Sequence, residues 1–163
     1  MHALLTHPDG RVRAAAVAGL RLLDDNDDNT GIAALTALLE DPWPAVVREA
    51  SLSLLPASGR LDTDRLVEQL EADRPRHLRR AAFRLLRARR GITELRACVA
   101  LVGDPDPRLR ATARATVRGW NWQLSLHTDD TDRPELAEPL RRSAGLFDAY
   151  EMGVRRSRLG LTR

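Results

Sequence analysis

Lysine is absent from these 163 residues: all 26 basic side chains are arginine, set against 23 acids, for a formal net charge of +3. The pI of about 10.2 therefore reflects the very high pKa of arginine rather than a large positive excess. Arginine suits planar, bidentate contacts with phosphate or carboxylate, yet its complete replacement of lysine is explained more simply by the coding bias of a GC-rich genome. One cysteine excludes an internal disulfide, and Cys98 falls among apolar residues at helical spacing, where a thiol behaves as a small hydrophobe. Aromatic residues make up only 4% against a hydrophobic content of 43%, so the core is expected to be Ala and Leu, as close-packed helices prefer. No apolar run is long enough to span a bilayer, and Met1-His-Ala-Leu-Leu-Thr lacks the basic opening and long apolar stretch of a secretion signal. The expectation is one cytoplasmic domain with no membrane partner.

What is present is repetition. Asp104-Pro-Asp-Pro-Arg-Leu-Arg-Ala-Thr-Ala113 is echoed by Asp41-Pro-Trp-Pro-Ala-Val46, Asp73-Arg-Pro-Arg-His-Leu78 and His7-Pro-Asp-Gly-Arg-Val12, each with an apolar residue five positions after its opening. These anchors, Val12, Val46, Leu78 and Leu109, stand 34, 32 and 31 positions apart, a period that signals stacked helical pairs. Four positions on come Ala16, Ala50, Ala82 and Ala113, and eight on come Leu20, Leu54, Leu86 and Val117, one apolar stripe per repeat at helical spacing. Leu4, Leu38, Leu70 and Leu101 precede the anchors by eight, with Leu35, Val67 and Cys98 three before those, so each unit has two helices and a short turn. Pro44 and Pro107 sit where the second helix begins, where a missing N–H costs nothing. Asp41, Asp73 and Asp104 lie just before it, where a carboxylate can accept orphan N–H groups or favour the positive end of the dipole.

This pattern resembles the HEAT-repeat family, in particular the short variety found in phycobilisome-lyase-like proteins, whose signature runs roughly Asp-Pro-x-Pro-x-Val-Arg-x-x-Ala. The resemblance covers about residues 1–120. It implies an all-α, right-handed α-solenoid of about four two-helix repeats (about 1–23, 30–56, 62–90 and 91–120), with 121–163 as a C-terminal helical cap and basic tail. It also implies a ladder between neighbouring repeats in which a turn Asp meets the Arg after an anchor; those arginines are Arg13, Arg79 and Arg110, while repeat two has Val47. The family's enzymatic relatives, the alkylpurine DNA glycosylases, hold DNA on a basic concave face with Trp and an Asp near the lesion. Arg87, Arg118, Trp120, Trp122 and Asp106 would have to fill those roles here, and no catalytic motif accompanies them.

Repeat three sorts its charge by helix. Residues 62–73 carry Asp62, Asp64, Glu68, Glu71 and Asp73 against Arg65, whereas 76–90 carry seven arginines and no acid. Repeat four is again basic in its second helix, with Arg108, Arg110, Arg114 and Arg118. At 100° per residue, positions two, six and nine after an anchor face away from the core. Arg48 and Arg80 occupy the first of these, Arg84 the second, and Arg21, Arg87 and Arg118 the third. Second helices line the concave surface in this family, so the resemblance implies a basic inner groove centred on Arg76, Arg80, Arg84, Arg87, Arg114 and Arg118. Trp43 holds a turn position occupied elsewhere by Asp9, Pro75 and Asp106; it either anchors a partner or folds back over a neighbouring repeat. The expected role is a non-catalytic scaffold that binds an acidic protein or peptide through these arginines. The alternative is a nucleic-acid-binding solenoid related to the glycosylases, and a face whose arginines merely pair with neighbouring acidic helices would need no partner at all.

Residues 24–31 alternate acids with Asn and resemble a calcium loop, but Gly31 comes too late and the closing Glu is missing, so they read as a solvated connection with Asn29 or Thr30 capping the next helix. Leu4 and Leu5 stand with little in front of them, which leaves a further repeat, or self-association through the N-terminal repeat, to cover them. Beyond Val117 the register breaks, and helices are expected over 134–143 and 145–156, the latter with Leu146, Phe147, Tyr150 and Val154 on one face. The four histidines, His2, His7, His77 and His127, show no zinc-like spacing; Ser125, His127 and Asp129 are near one another only in sequence; no Gly-rich phosphate loop occurs. No catalytic residue, metal or cofactor is expected.

Overall fold

The computed structural model describes residues 2–22, 29–120, 122 and 132–161, and every regular element among them is helical. The chain divides into two compact units, Met1–Arg89 and Arg90–Arg163. The acidic stretch 24–28 and the trio Ser125, His127 and Asp129 lie outside the described residues, while Asn29 and Thr30 already belong to a helix.

In the first unit α1 (His2–Leu5), α2 (Gly10–Leu22), α3 (Asn29–Ala37), α4 (Pro44–Ser53), α5 (Thr63–Glu68) and α6 (Arg76–Ala88) follow one another, with 3-10 turns at Leu38–Glu40 and Ser58–Arg60. The second helix of each pair packs on the next: α2 lies on α4, and α4 on α6. The first helices are the flanks: α1 lies against α2, α3 against α4 and α5 against α6. The repeat stripe explains this packing. Val46 and Ala50 of α4 and Leu54 just after it are fully buried, and Ala82 and Leu86 of α6 are buried beside a half-buried Leu78. In α2 the stripe residues Val12, Ala16 and Leu20 are only half-buried, and the closed position is Val17. Each fully buried Val or Leu contributes about 1.5–3 kcal/mol relative to exposure.

Helix α5 departs from the expected pattern. It ends at Glu68 after six residues, Leu66 and Leu70 fill the core, and Val67, expected on the apolar stripe, is 49% exposed. One step of 100° separates Val67 from Leu66, so a helix this short can bury only one of them.

The turns keep the aspartates in different roles from those expected. Asp41 and Asp104 do not cap the following helix; each accepts an N–H from within the turn, Trp43 N at 2.8 Å and Asp106 N at 2.7 Å. The capping position of α8 (Pro107–Gly119) is held by Asp106, whose Oδ1 accepts from Arg108 N at 3.0 Å. Pro44 and Pro107 do open their helices. Between the first two repeats Arg13 meets Asp41 as the ladder requires: its Nε and Nη2 donate to the two carboxylate oxygens at 2.8 and 2.9 Å, tying α2 to the turn before α4. Arg110 instead donates to the carbonyl of Asp104, in the turn before its own helix, at 2.6 Å.

In the second unit α7 (Gly91–Ala100) packs on α8 (Pro107–Gly119) and on α9 (Asp132–Arg142), which is followed by a 3-10 turn at Ala144–Leu146 and by α10 (Ala149–Arg158). Leu109, Ala113, Val117 and Cys98 are all buried, the thiol fully. Trp122 is buried edge-on against Phe147, ring centres 6.4 Å apart, and the Arg155 guanidinium lies 4.0 Å from the Phe147 centroid. Helix α10 starts four residues later than the periodicity suggests, because Asp148 and Glu151 form a reciprocal capping box. That shift turns Tyr150 out to 81% exposure, off the face it was expected to share with Phe147. No helix among the described residues is long and apolar enough to cross a membrane.

Candidate functional site

Among the described helices α6 carries the densest net positive charge, and its packing decides which arginines that charge leaves outside. Taking Arg76 as the origin, Arg80, Arg84 and Arg87 fall within an arc of about 80°, whereas Ala81, Ala82, Leu85 and Leu86 cluster on the opposite side. The burial follows the arc: those four apolar residues are buried, Arg76 is exposed, and Arg80, Arg84 and Arg87 are half-buried. Helix α6 begins after Pro75 without an acid in its first turn, so no carboxylate of its own offsets the row.

Not all seven arginines of this segment belong to that row. Arg79 is 4% exposed and sits on the core side. Arg89 is a clamp: Nε donates to the Ser58 carbonyl at 2.9 Å, and its two terminal nitrogens bond Thr63 Oγ1 and the Leu61 carbonyl. It pins the turn that leads into α5. Arg90 has left the helix altogether, with φ at 60°.

Helix α4 extends the row sideways. Arg48 is exposed and pairs with its neighbour Glu49 at 2.7 Å. From α6, Arg84 Nη1 reaches across to donate to the hydroxyl of Ser51, a fully buried residue whose own hydroxyl donates to the Arg48 carbonyl at 2.8 Å. Burial lowers the pKa of Arg84, the charge of Arg48 lowers it further, and Glu49 opposes both. Arg87 lies over the ring of Phe83, its guanidinium carbon 5.7 Å from the centroid, a cation–π contact that holds the side chain along the helix surface.

The other expected site residues are placed as follows. Arg114 and Arg118 share one face of α8 in the second unit; both are exposed, and Arg114 Nε donates to the Val102 carbonyl just after α7 at 2.8 Å. Arg21 lies in α2, and its side chain is outside the described residues. Trp43 folds back onto the start of α2: a methyl group at Gly10 would stand 2.6 Å from the indole Cγ. The residue nevertheless remains 44% exposed. The signal for this contact was in the sequence, since Gly10 is the small residue that makes room for the ring. Of the residues that a glycosylase-like role would require, Asp106 caps α8, Trp122 is buried and Trp120 is half-buried at the end of α8.

A second concavity lies on the first-helix side of the same unit. It is a cleft of about 90 Å³ with Leu61, Leu66, Leu78 and Ala81 in its walls, room for one branched aliphatic side chain. Arg65 and Glu40 meet at 2.7 Å on its rim, and the Glu40 hydrogen bond raises the Arg65 pKa. Among the described residues no group of three or more His, Cys, Asp or Glu is placed to hold a metal ion. Set against models of known protein families, against curated proteins and against solved structures, the chain matches none of them.

Proposed function

We propose that the protein is a HEAT-like helical-repeat module of the right-handed solenoid type, cytoplasmic and non-catalytic, whose α4–α6 arginine face binds an acidic protein or peptide surface. The side-by-side packing of α2, α4 and α6, each flanked by its own short first helix, supports the repeat reading. So does the Arg13–Asp41 rung between the first two repeats. The observation that carries the binding reading is that the unburied arc of α6 is made of Arg76, Arg80, Arg84 and Arg87 with no acid on the helix, and that α4 adds Arg48 beside it. A row of this kind attracts negative charge and favours partners with regularly placed carboxylates.

Fluorescence anisotropy of a labelled octaglutamate, with labelled duplex DNA and single-stranded RNA as comparators, tests this over a range of salt. The octaglutamate is expected to bind near physiological salt more tightly than either nucleic acid, and the change Arg76→Glu/Arg80→Glu/Arg87→Glu to abolish it. Tight, steeply salt-dependent binding of duplex DNA or RNA that the triple change removes would replace this reading by a nucleic-acid-binding one.

A further inference from the structure

We infer that Arg84, held by Ser51 and flanked by Arg48, is the anchor of this surface and receives one side-chain carboxylate of the partner, an Asp or Glu, between α4 and α6. The inference rests on the reading of the arginine face as a binding surface and names the chemistry at its centre.

The first ground is how Arg84 is held. Its hydrogen-bond partner among the described residues is a neutral hydroxyl, that of Ser51, which is itself fully buried and fastened to the α4 backbone. A guanidinium has five N–H donors in a planar fork, so a single hydroxyl orients Arg84 without saturating it.

The second ground is charge. The groups acting on Arg84 are Arg48 and Glu49, and the Glu49 carboxylate stands 2.7 Å from Arg48 rather than on Arg84. Arg84 therefore sits half-buried beside a second guanidinium, with no ion pair of its own among the described residues. Burial and Arg48 both depress the Arg84 pKa, as expected of a cation the fold has not compensated.

The third ground is contrast within the same unit. Arg13 presents the same fork to Asp41 and takes both of its oxygens; Arg89 closes on two carbonyls and a hydroxyl. Arg84 is ordered like these two but meets no anion among the described residues. A carboxylate on a flexible side chain fits a planar fork in two-toothed fashion and can enter between two helices.

The test is the anisotropy titration of labelled octaglutamate with three single variants: Arg84→Met, Arg84→Lys and, as an equal loss of charge at an exposed position just past α6, Arg90→Met. Arg84→Met is expected to weaken binding at least tenfold and Arg90→Met by less than twofold. Arg84→Lys keeps the charge but not the fork, and is expected to lose most of the same affinity. The thermal midpoint of Arg84→Met should equal or exceed that of the unchanged protein, because an uncompensated half-buried cation has been removed; a lowered midpoint would contradict the inference. Equal weakening by Arg84→Met and Arg90→Met would overturn the anchor while leaving the surface reading intact. Failure of the unchanged protein to bind octaglutamate would remove both. A larger loss for duplex DNA than for octaglutamate on Arg84→Met would overturn the assignment of a carboxylate.

Discussion

Asp41 serves two neighbours with one carboxylate, taking the Arg13 fork on both oxygens and the Trp43 N–H on one of them. Burial pushes its pKa up, but the Arg13 hydrogen bonds, the Trp43 N–H and the positive charges of Arg13 and His77 together hold it below the ordinary carboxylate value. A folded-state pKa below the unfolded one means that the stabilisation is complete above about pH 4, the unfolded value, and is lost as pH falls through the lower folded value. Urea midpoints measured from pH 6 downward should therefore fall on the acid side of about pH 4, and Asp41→Asn should be less stable at pH 6 while showing a shallower acid slope. An unchanged slope in that variant would remove Asp41 from the acid transition. Arg90 is the other residue whose local state has a measurable consequence. With φ at 60° and ψ at −172° it occupies a region that only glycine enters without strain, at a cost on the order of 1–3 kcal/mol. Arg90→Gly should raise the unfolding free energy by about 1 kcal/mol after the extra chain entropy of glycine is subtracted, read from the shift in urea midpoint; a decrease would show that no strain is stored there. Both residues were visible in the sequence as types, but neither the Trp43 N–H reaching Asp41 nor the reversed φ of Arg90 is encoded in a spacing.

At the scale of the helix, α6 shows how one charge run divides into roles. The sequence presents seven equivalent arginines over 76–90, and the helical period correctly separates a core side from an outer side. It does not reveal that Arg89 bends back to the 58–63 turn, because that contact depends on where α5 lies. Removing the clamp should be costly: Arg89→Met leaves two carbonyls and the Thr63 hydroxyl without their charged donor, and the expected loss is about 2–4 kcal/mol. Hydrogen exchange would locate it, with amides of 58–68 losing protection before those of α4. Uniform loss over the whole unit would mean that Arg89 acts on α6 rather than on the turn. The shortness of α5 has a similar origin. Its period allowed a longer helix with Val67 inside, and the competition between Leu66 and Val67 for one buried strip was settled by packing against α6.

For the molecule as a whole, the charge is modest in sum and concentrated in place. A net +3 over 163 residues gives no strong general attraction, so binding through the arginine face should be local and sensitive to screening. With a Debye length of about 8 Å at physiological salt, affinity for octaglutamate should fall on raising salt from 50 to 300 mM. The triple change at Arg76, Arg80 and Arg87 should remove that dependence along with the affinity. Were duplex DNA the true ligand, each phosphate-contacting arginine removed would instead lower the logarithmic salt slope by about 0.9. The division into two units limits what a single groove means here: Arg48 and the α6 arginines belong to one, Arg114 and Arg118 to the other.

By itself the sequence determined the helical class, the alternation of paired helices through residue 119, the Pro44 and Pro107 starts and the buried stripe of α4 and α8. These follow from a 3.6-residue period and from the chemistry of single residues, which are local properties of the chain. Tertiary structure alone decided that Arg89 closes on the 58–63 turn, that Arg79 is buried, that Leu66 rather than Val67 enters the core, and that Arg84 rests on Ser51. Each of these joins residues about 25 to 35 positions apart or depends on the depth to which a helix is buried. A repeat pattern states that neighbouring units pack, but only the packed helices determine which donors find their acceptors.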